Sequence, residues 1–242
     1  YTNFLTLCVD PLVQIKEARN KGILNTEIFD LIIKRFPLVS SGIERIEKAS
    51  HVNFPIAYID PSIIIADTAS STDAGILFAR TIPVPVKNSV QIIIQISAPL
   101  VAYGLKGTIH AILAHEFLHY LELFTRLSKM EIISDEVSSN LFENVYSDNT
   151  RLLEPRSVFN DTTLISHITK RFPSGFRDYK LEDKVMKFWI EKKLPVSKIS
   201  LDINNIKLNA ELLTRIKFDE VLLQKLEIIH AKNSKLRKKK LY

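Results

Sequence analysis

The spacing of apolar positions divides the chain into helical ends and a β-rich middle. Leu12, Val13, Ile15 and Ala18 recur at helical intervals after Asp10-Pro11, and Asn20-Lys21-Gly22 supplies a stop. Ile28, Phe29, Ile32 and Ile33 mark one face of a second helix over Thr26–Phe36, which Pro37 is expected to end. Ser41–Ala49 reads as a shorter third helix. From Phe54 the period changes to two. The runs Phe54–Asp60, Ser62–Ala66 and Gly75–Ile82 are β-rich and separated by Pro, Asp, Ser and Gly. Val90–Ser97 alternates most clearly. Val90, Ile92, Ile94 and Ile96 share one face, and Gln91, Ile93, Gln95 and Ser97 share the other. Thr81–Val86, with its two prolines, reads as a rigid connection ahead of that strand.

Helical spacing returns over Thr108–Phe124 and Ser128–Tyr146. Mixed sequence follows over Asp148–Arg177, where Pro155, Pro173 and Gly175 act as breakers, then helical stretches over Leu181–Lys193 and Ala210–His230. The Met186, Phe188 and Trp189 group has the spacing of a helix core. Helices, strands and helices in that order predict an α+β fold. The divisions expected are a helical region over 1–50, a core over 51–150, a mainly helical region over 151–231 and a basic tail over 232–242.

Composition excludes little beyond extremes. With 46% apolar and 25% charged residues in 242, the chain can bury a core and is not disordered overall. Val90–Leu105 is interrupted by Gln91, Gln95, Ser97 and Pro99, so no membrane span is expected. The one cysteine, Cys8, excludes a disulfide scaffold and fits a reducing, cytoplasmic setting. The chain opens on Tyr1 and not Met, which leaves room for an upstream signal segment. The net charge of +6 invites a nucleic-acid reading until it is located. Lys232, Lys235, Arg237, Lys238, Lys239 and Lys240 account for all of it, and no acidic residue follows Glu227. The rest is formally neutral, so contact with nucleic acid or an anionic surface is expected only through 232–240, read as a disordered, solvated tail.

The chemistry sits in His115-Glu116-Phe117-Leu118-His119. On a helix, residues i and i+4 face the same way one turn apart, so both imidazoles can bind one tetrahedral ion. The intervening glutamate lies beside that ion, where it can take a proton from a bound water. Ile109, Ile112, Leu113 and Leu118 independently give this segment helical spacing.

A strand, a short connection and then a helix carrying HExxH resemble the zincin metallopeptidases. The resemblance covers roughly residues 54–146. It implies one Zn²⁺ per chain, peptide hydrolysis with Glu116 as general base, and a small mixed sheet whose edge strand lies next to the HExxH helix. By that resemblance Val90–Ser97 would be the edge, and a peptide or protein substrate would pair with it in extended form.

Catalytic zinc usually has three protein ligands and a water. Glu122 and Thr125 stand where a metzincin carries its glycine and third histidine, so a downstream glutamate of the gluzincin type is expected. Glu131 lies in Glu131-Ile132-Ile133-Ser134-Asp135, similar to the thermolysin-type ExxSD motif. Glu136 lies in Glu136-Val137-Ser138-Ser139-Asn140, similar to an ExxAN variant. A helix turn near Leu127-Ser128 brings position 136 level with His119, and Ser128 with Glu131 fits a capping box. These points favour Glu136, with Glu131 as the alternative. Asn140, or Asp135 in the alternative, would hydrogen-bond the second nitrogen of His115. Tyr146, Arg151 and His167 are candidates to stabilise an oxyanion.

Overall fold

The computed structural model describes residues 10–67, 75–86, 89–129, 152–172, 176, 178–200 and 218–240. Among the described residues the first three helices are α1 (Val13–Asn20), α2 (Thr26–Arg35) and α3 (Pro37–Ser50). Asn25 caps α2 by accepting a hydrogen bond from the Ile28 N–H at 2.9 Å, and Ile28 and Ile32 are its buried face. Pro37 does not only end α2 but also begins α3, one residue later. Its missing N–H is harmless in a first helical turn, so α3 is longer than the expected 41–49.

Among the described residues the strands form two three-stranded sheets. In one, β5 (Ser89–Ser97) lies between β1 (Ala57–Asp60), which is parallel to it, and β4 (Ala79–Val86), which is antiparallel. In the other, β2 (Ile63–Asp67) lies between β3 (Gly75–Leu77) and β6 (Val196–Ser200). The expected single run Gly75–Ile82 is therefore two strands. Phe78 breaks it and carries the chain from one sheet to the other.

This corrects the placement of the edge. Val90–Ser97 is a central strand, paired with β4 along Ser89–Ile96 and with β1 along Ile94–Ser97. A substrate cannot add to it as to an edge. Thr81–Val86 is not a connection but part of β4, the outer strand among the described residues. The prolines explain why. The Ser97 N–H donates to the Phe78 carbonyl at 2.9 Å, so even-numbered residues of β4 turn their backbone towards β5. Pro83 and Pro85 then point away from the ladder, where a missing N–H breaks no bond.

The two faces of β5 are as the alternation predicts. Ile92, Ile94 and Ile96 are buried beneath the helices. On the other face the Gln95 amide donates to Asp60 Oδ2 at 2.6 Å and accepts from Arg80 Nε, which links all three strands by side chains. After β5 come α4 (Ala98–Tyr103) and α5 (Lys106–Ser128). Arg35 ties α2 to the end of α4, donating to the Val101 carbonyl at 2.8 Å and to that of Gly104.

Helix α5 is enclosed along its middle, where every residue from Thr108 to His119 is buried. It packs against α3, β4 and β5, and against α7 (Thr162–Arg171). Gly42 of α3 permits the close approach, because a Cβ there would lie 2.9 Å from both His110 and Leu113. The short α6 (Pro155–Val158) precedes α7, and α8 (Tyr179–Val185) continues as a wider turn over Met186–Ile190. Trp189 is core, as its spacing predicts, with Nε1 donating to the Pro195 carbonyl at 2.9 Å.

The final helix, α9 (Glu220–Lys240), contains most of the segment read as a disordered tail. No Pro or Gly interrupts it, and its cations gather at the C-terminal end, where they complement the helix dipole. Leu222, Leu226, Ile229 and Asn233 are buried, and Asn233 accepts from the Glu154 N–H at 2.9 Å. Among the described residues, no helix is long and apolar enough to cross a membrane.

Candidate metal centre

His115, Glu116 and His119 lie in the buried middle of α5, and one ligand atom from each falls within 4.8 Å of the others. They form a group that can hold a metal ion. The helix brings His115 and His119 to one side, with their Nε2 atoms 2.9 Å apart and their rings nearly perpendicular at 83°. Exposure is 9% for His115, 4% for Glu116 and 1% for His119.

Burial decides the charge of the rings. It pushes the His115 imidazole down to about 3, because a cation there would lose its hydration. His119 is pushed well below its ordinary value by burial first and by neighbouring His115 second. Both rings are therefore neutral at pH 7, and a neutral imidazole is the form that donates a lone pair to a metal.

Glu116 is held from the sheet. The Thr81 hydroxyl donates to Glu116 Oε2 at 2.9 Å, and Thr81 Oγ1 also lies 3.0 Å from the Glu116 carbonyl oxygen. Thr81 is 2% exposed and belongs to β4. The outer strand thus meets the HExxH helix at its glutamate.

His115 is held from the other side. The Phe172 ring stacks on it at 3.8 Å and 8° between planes. Phe172 caps α7, its N–H donating to the Ile168 carbonyl at 2.9 Å. Phe176 meets Phe172 at 5.4 Å and Phe78 at 5.1 Å, so three aromatic rings run from His115 to the break before β4.

The remaining expected site residues fall into two groups. Glu131, Asp135, Glu136, Asn140, Tyr146 and Arg151 lie outside the described residues. His167 is described and is not at the centre. It packs against Gly107 near the start of α5, where a Cβ would come within 3.1 Å of its ring. His115 lies eight helical steps beyond Gly107, about 12 Å of rise, so His167 is withdrawn as an oxyanion donor.

Two further polar groups on α5, His110 and Thr125, have structural roles. His110 is buried on another face, within 3.2 Å of the Leu38 carbonyl and 3.5 Å of Arg45 Nη1. Arg45 makes a two-pronged pair with Asp161, at 2.6 and 2.9 Å, and Asp161 also caps α7. Thr125, in the position of a third metzincin histidine, donates to the Leu121 carbonyl at 2.8 Å and lies 3.0 Å from His230 Nε2.

Sequence reasoning missed Thr81 and Phe172. Prolines at 83 and 85 group Thr81 with them on one face of β4 but do not place it opposite Glu116, and the Phe172 contact spans 57 residues of chain. No family model matches the chain, and no curated protein or solved structure matches it.

Proposed function

We propose that this chain is a zinc-dependent peptidase of the gluzincin type. His115 and His119 are two ligands of one Zn²⁺, and Glu136, with Glu131 as the alternative, is the third. The observation that carries the reading is the buried group itself: two neutral imidazoles with converging Nε2 atoms beside a carboxylate held by a hydroxyl. That donor set suits zinc, which favours imidazole and carboxylate ligands in a tetrahedron. Bound zinc supplies a Lewis acid that brings the pKa of a coordinated water to about 7.

The chain's own groups do the rest. Glu116 accepts the proton of the attacking water and returns it to the leaving amine. Thr81 fixes the carboxylate beside the two imidazoles through one of its oxygens. The apolar surroundings exclude bulk solvent and strengthen each of these interactions. The substrate is a peptide or protein approached from the β4 side of the helix. The lone cysteine fits a cytoplasmic setting.

A second reading keeps the metal but not general proteolysis. The low exposure of all three residues favours it, since a protein that binds or cleaves one partner needs no open cleft. Zinc content, together with hydrolysis of a peptide library by wild type and Glu116→Gln, separates the two. Zinc in both and hydrolysis only in wild type supports the peptidase. Zinc in both and hydrolysis in neither supports the second reading.

A further inference from the structure

Resting on that reading of the site, we propose that Phe172 is a positioning residue for the metal centre, setting the plane of the His115 imidazole by face-to-face stacking. A ligand histidine is usually oriented by a hydrogen bond at its second ring nitrogen. Among the described residues, His115 meets two rings, those of His119 and Phe172, and no hydrogen-bonding group at Nδ1. The 8° angle and 3.8 Å separation make the Phe172 contact one of plane on plane.

The consequence for the ligand follows from geometry. The lone pair of Nε2 lies in the imidazole plane. A ring stacked on the face leaves that direction open while opposing rotation out of it. Nε2 therefore stays directed towards His119 Nε2, where the shared ion belongs. Phe172 is itself fixed twice. Its backbone ends α7, and Phe176 links it to Phe78 at the start of β4. Movement of α7 or β4 would therefore reach a metal ligand through a chain of ring contacts, of which the one to His115 is stacked.

The test compares Phe172→Met, Phe172→Leu and Phe172→Tyr with wild type in the full chain. Met conserves volume but has no flat face, and Tyr keeps the face. Zn²⁺ affinity is measured by chelator competition, and the Co²⁺-substituted protein is read by its visible absorption. The expected result is about a ten-fold loss of Zn²⁺ affinity in Phe172→Met, with an altered Co²⁺ spectrum. Phe172→Tyr retains both within about two-fold. If Phe172→Leu fails to fold, the Met and Tyr pair decides alone. Wild-type affinity and spectrum in Phe172→Met overturn the inference. So does an equal loss in Met and Tyr, which marks a packing role. A wild type that binds neither metal overturns the underlying reading of the site, and the inference falls with it.

Discussion

The Thr81 hydroxyl donates to the Glu116 carboxylate at 2.9 Å, joining the outer strand of a sheet to the one acidic residue of the metal group. Both residues are buried, so this bond is made where water competes poorly. A hydrogen bond to a charged acceptor contributes about 1.5–3 kcal/mol.

Thr81→Val keeps the shape of the side chain and removes the donor. The expected outcome is a kcat lower by roughly 10- to 100-fold, with little change in KM, which is that energy expressed as a rate. Zinc content stays at the wild-type level, because neither imidazole is touched. Thr81→Ser restores most of the rate. Steady-state kinetics with metal analysis on the three proteins checks this, and an unchanged kcat in Thr81→Val shows the bond to be structural only.

Stability of the metal-free protein is expected to fall as the pH drops below about 6.5. The sign follows from His110. Burial, chiefly, holds its pKa below the ordinary value in the folded protein, opposed by its bond to the Leu38 carbonyl and aided by Arg45, Lys106 and His167. Between the folded and unfolded values the unfolded chain carries more protons, so acid favours unfolding. One such histidine contributes a slope of up to about 1.4 kcal/mol per pH unit. His110→Asn should flatten the dependence by up to that amount in urea titrations at pH 7.5, 6.5 and 5.5. Parallel slopes for wild type and variant would remove His110 from the explanation.

The cations of α9 are presented by a helix and not by a tail. Lys232, Lys235, Lys238 and Lys239 are all exposed on it. Binding of a labelled single-stranded oligonucleotide is expected at low salt, with a log–log salt slope of roughly −3 if four phosphates are neutralised. Replacing these four lysines by Gln should abolish that dependence without changing the fold. No binding at low ionic strength, or the same slope in the variant, would leave the charges with only their role at the helix end.

Local features were legible in the chain and long-range ones were not. HExxH on a helix, the two faces of Val90–Ser97 and the core place of Trp189 all follow from spacing within a few residues. The neighbours of β5 do not. Alternation tells which side chains share a face but not which strands pair with the backbone. Pro83 and Pro85 suggested a connection because proline breaks a ladder, yet an outer strand turns such positions away from it. Pro37 misled for a related reason, since the residue that cannot continue one helix can begin the next. The basic end of α9 looked disordered by charge alone, while Leu222, Leu226 and Ile229 dock the helix that carries it. Thr81 reaches Glu116 across 35 residues of chain and Phe172 reaches His115 across 57, distances that no local period encodes.

The central claim is that His115, Glu116 and His119 bind and use one zinc ion. Its most direct test is metal stoichiometry by mass spectrometry on purified wild type, His115→Ala, His119→Ala and Glu116→Gln, with peptide hydrolysis measured on the same preparations. The account predicts close to one zinc per chain in wild type and in Glu116→Gln, little in the two histidine variants, and hydrolysis by wild type alone. A wild type that holds no stoichiometric zinc, with His115→Ala changing neither metal content nor stability, would contradict it.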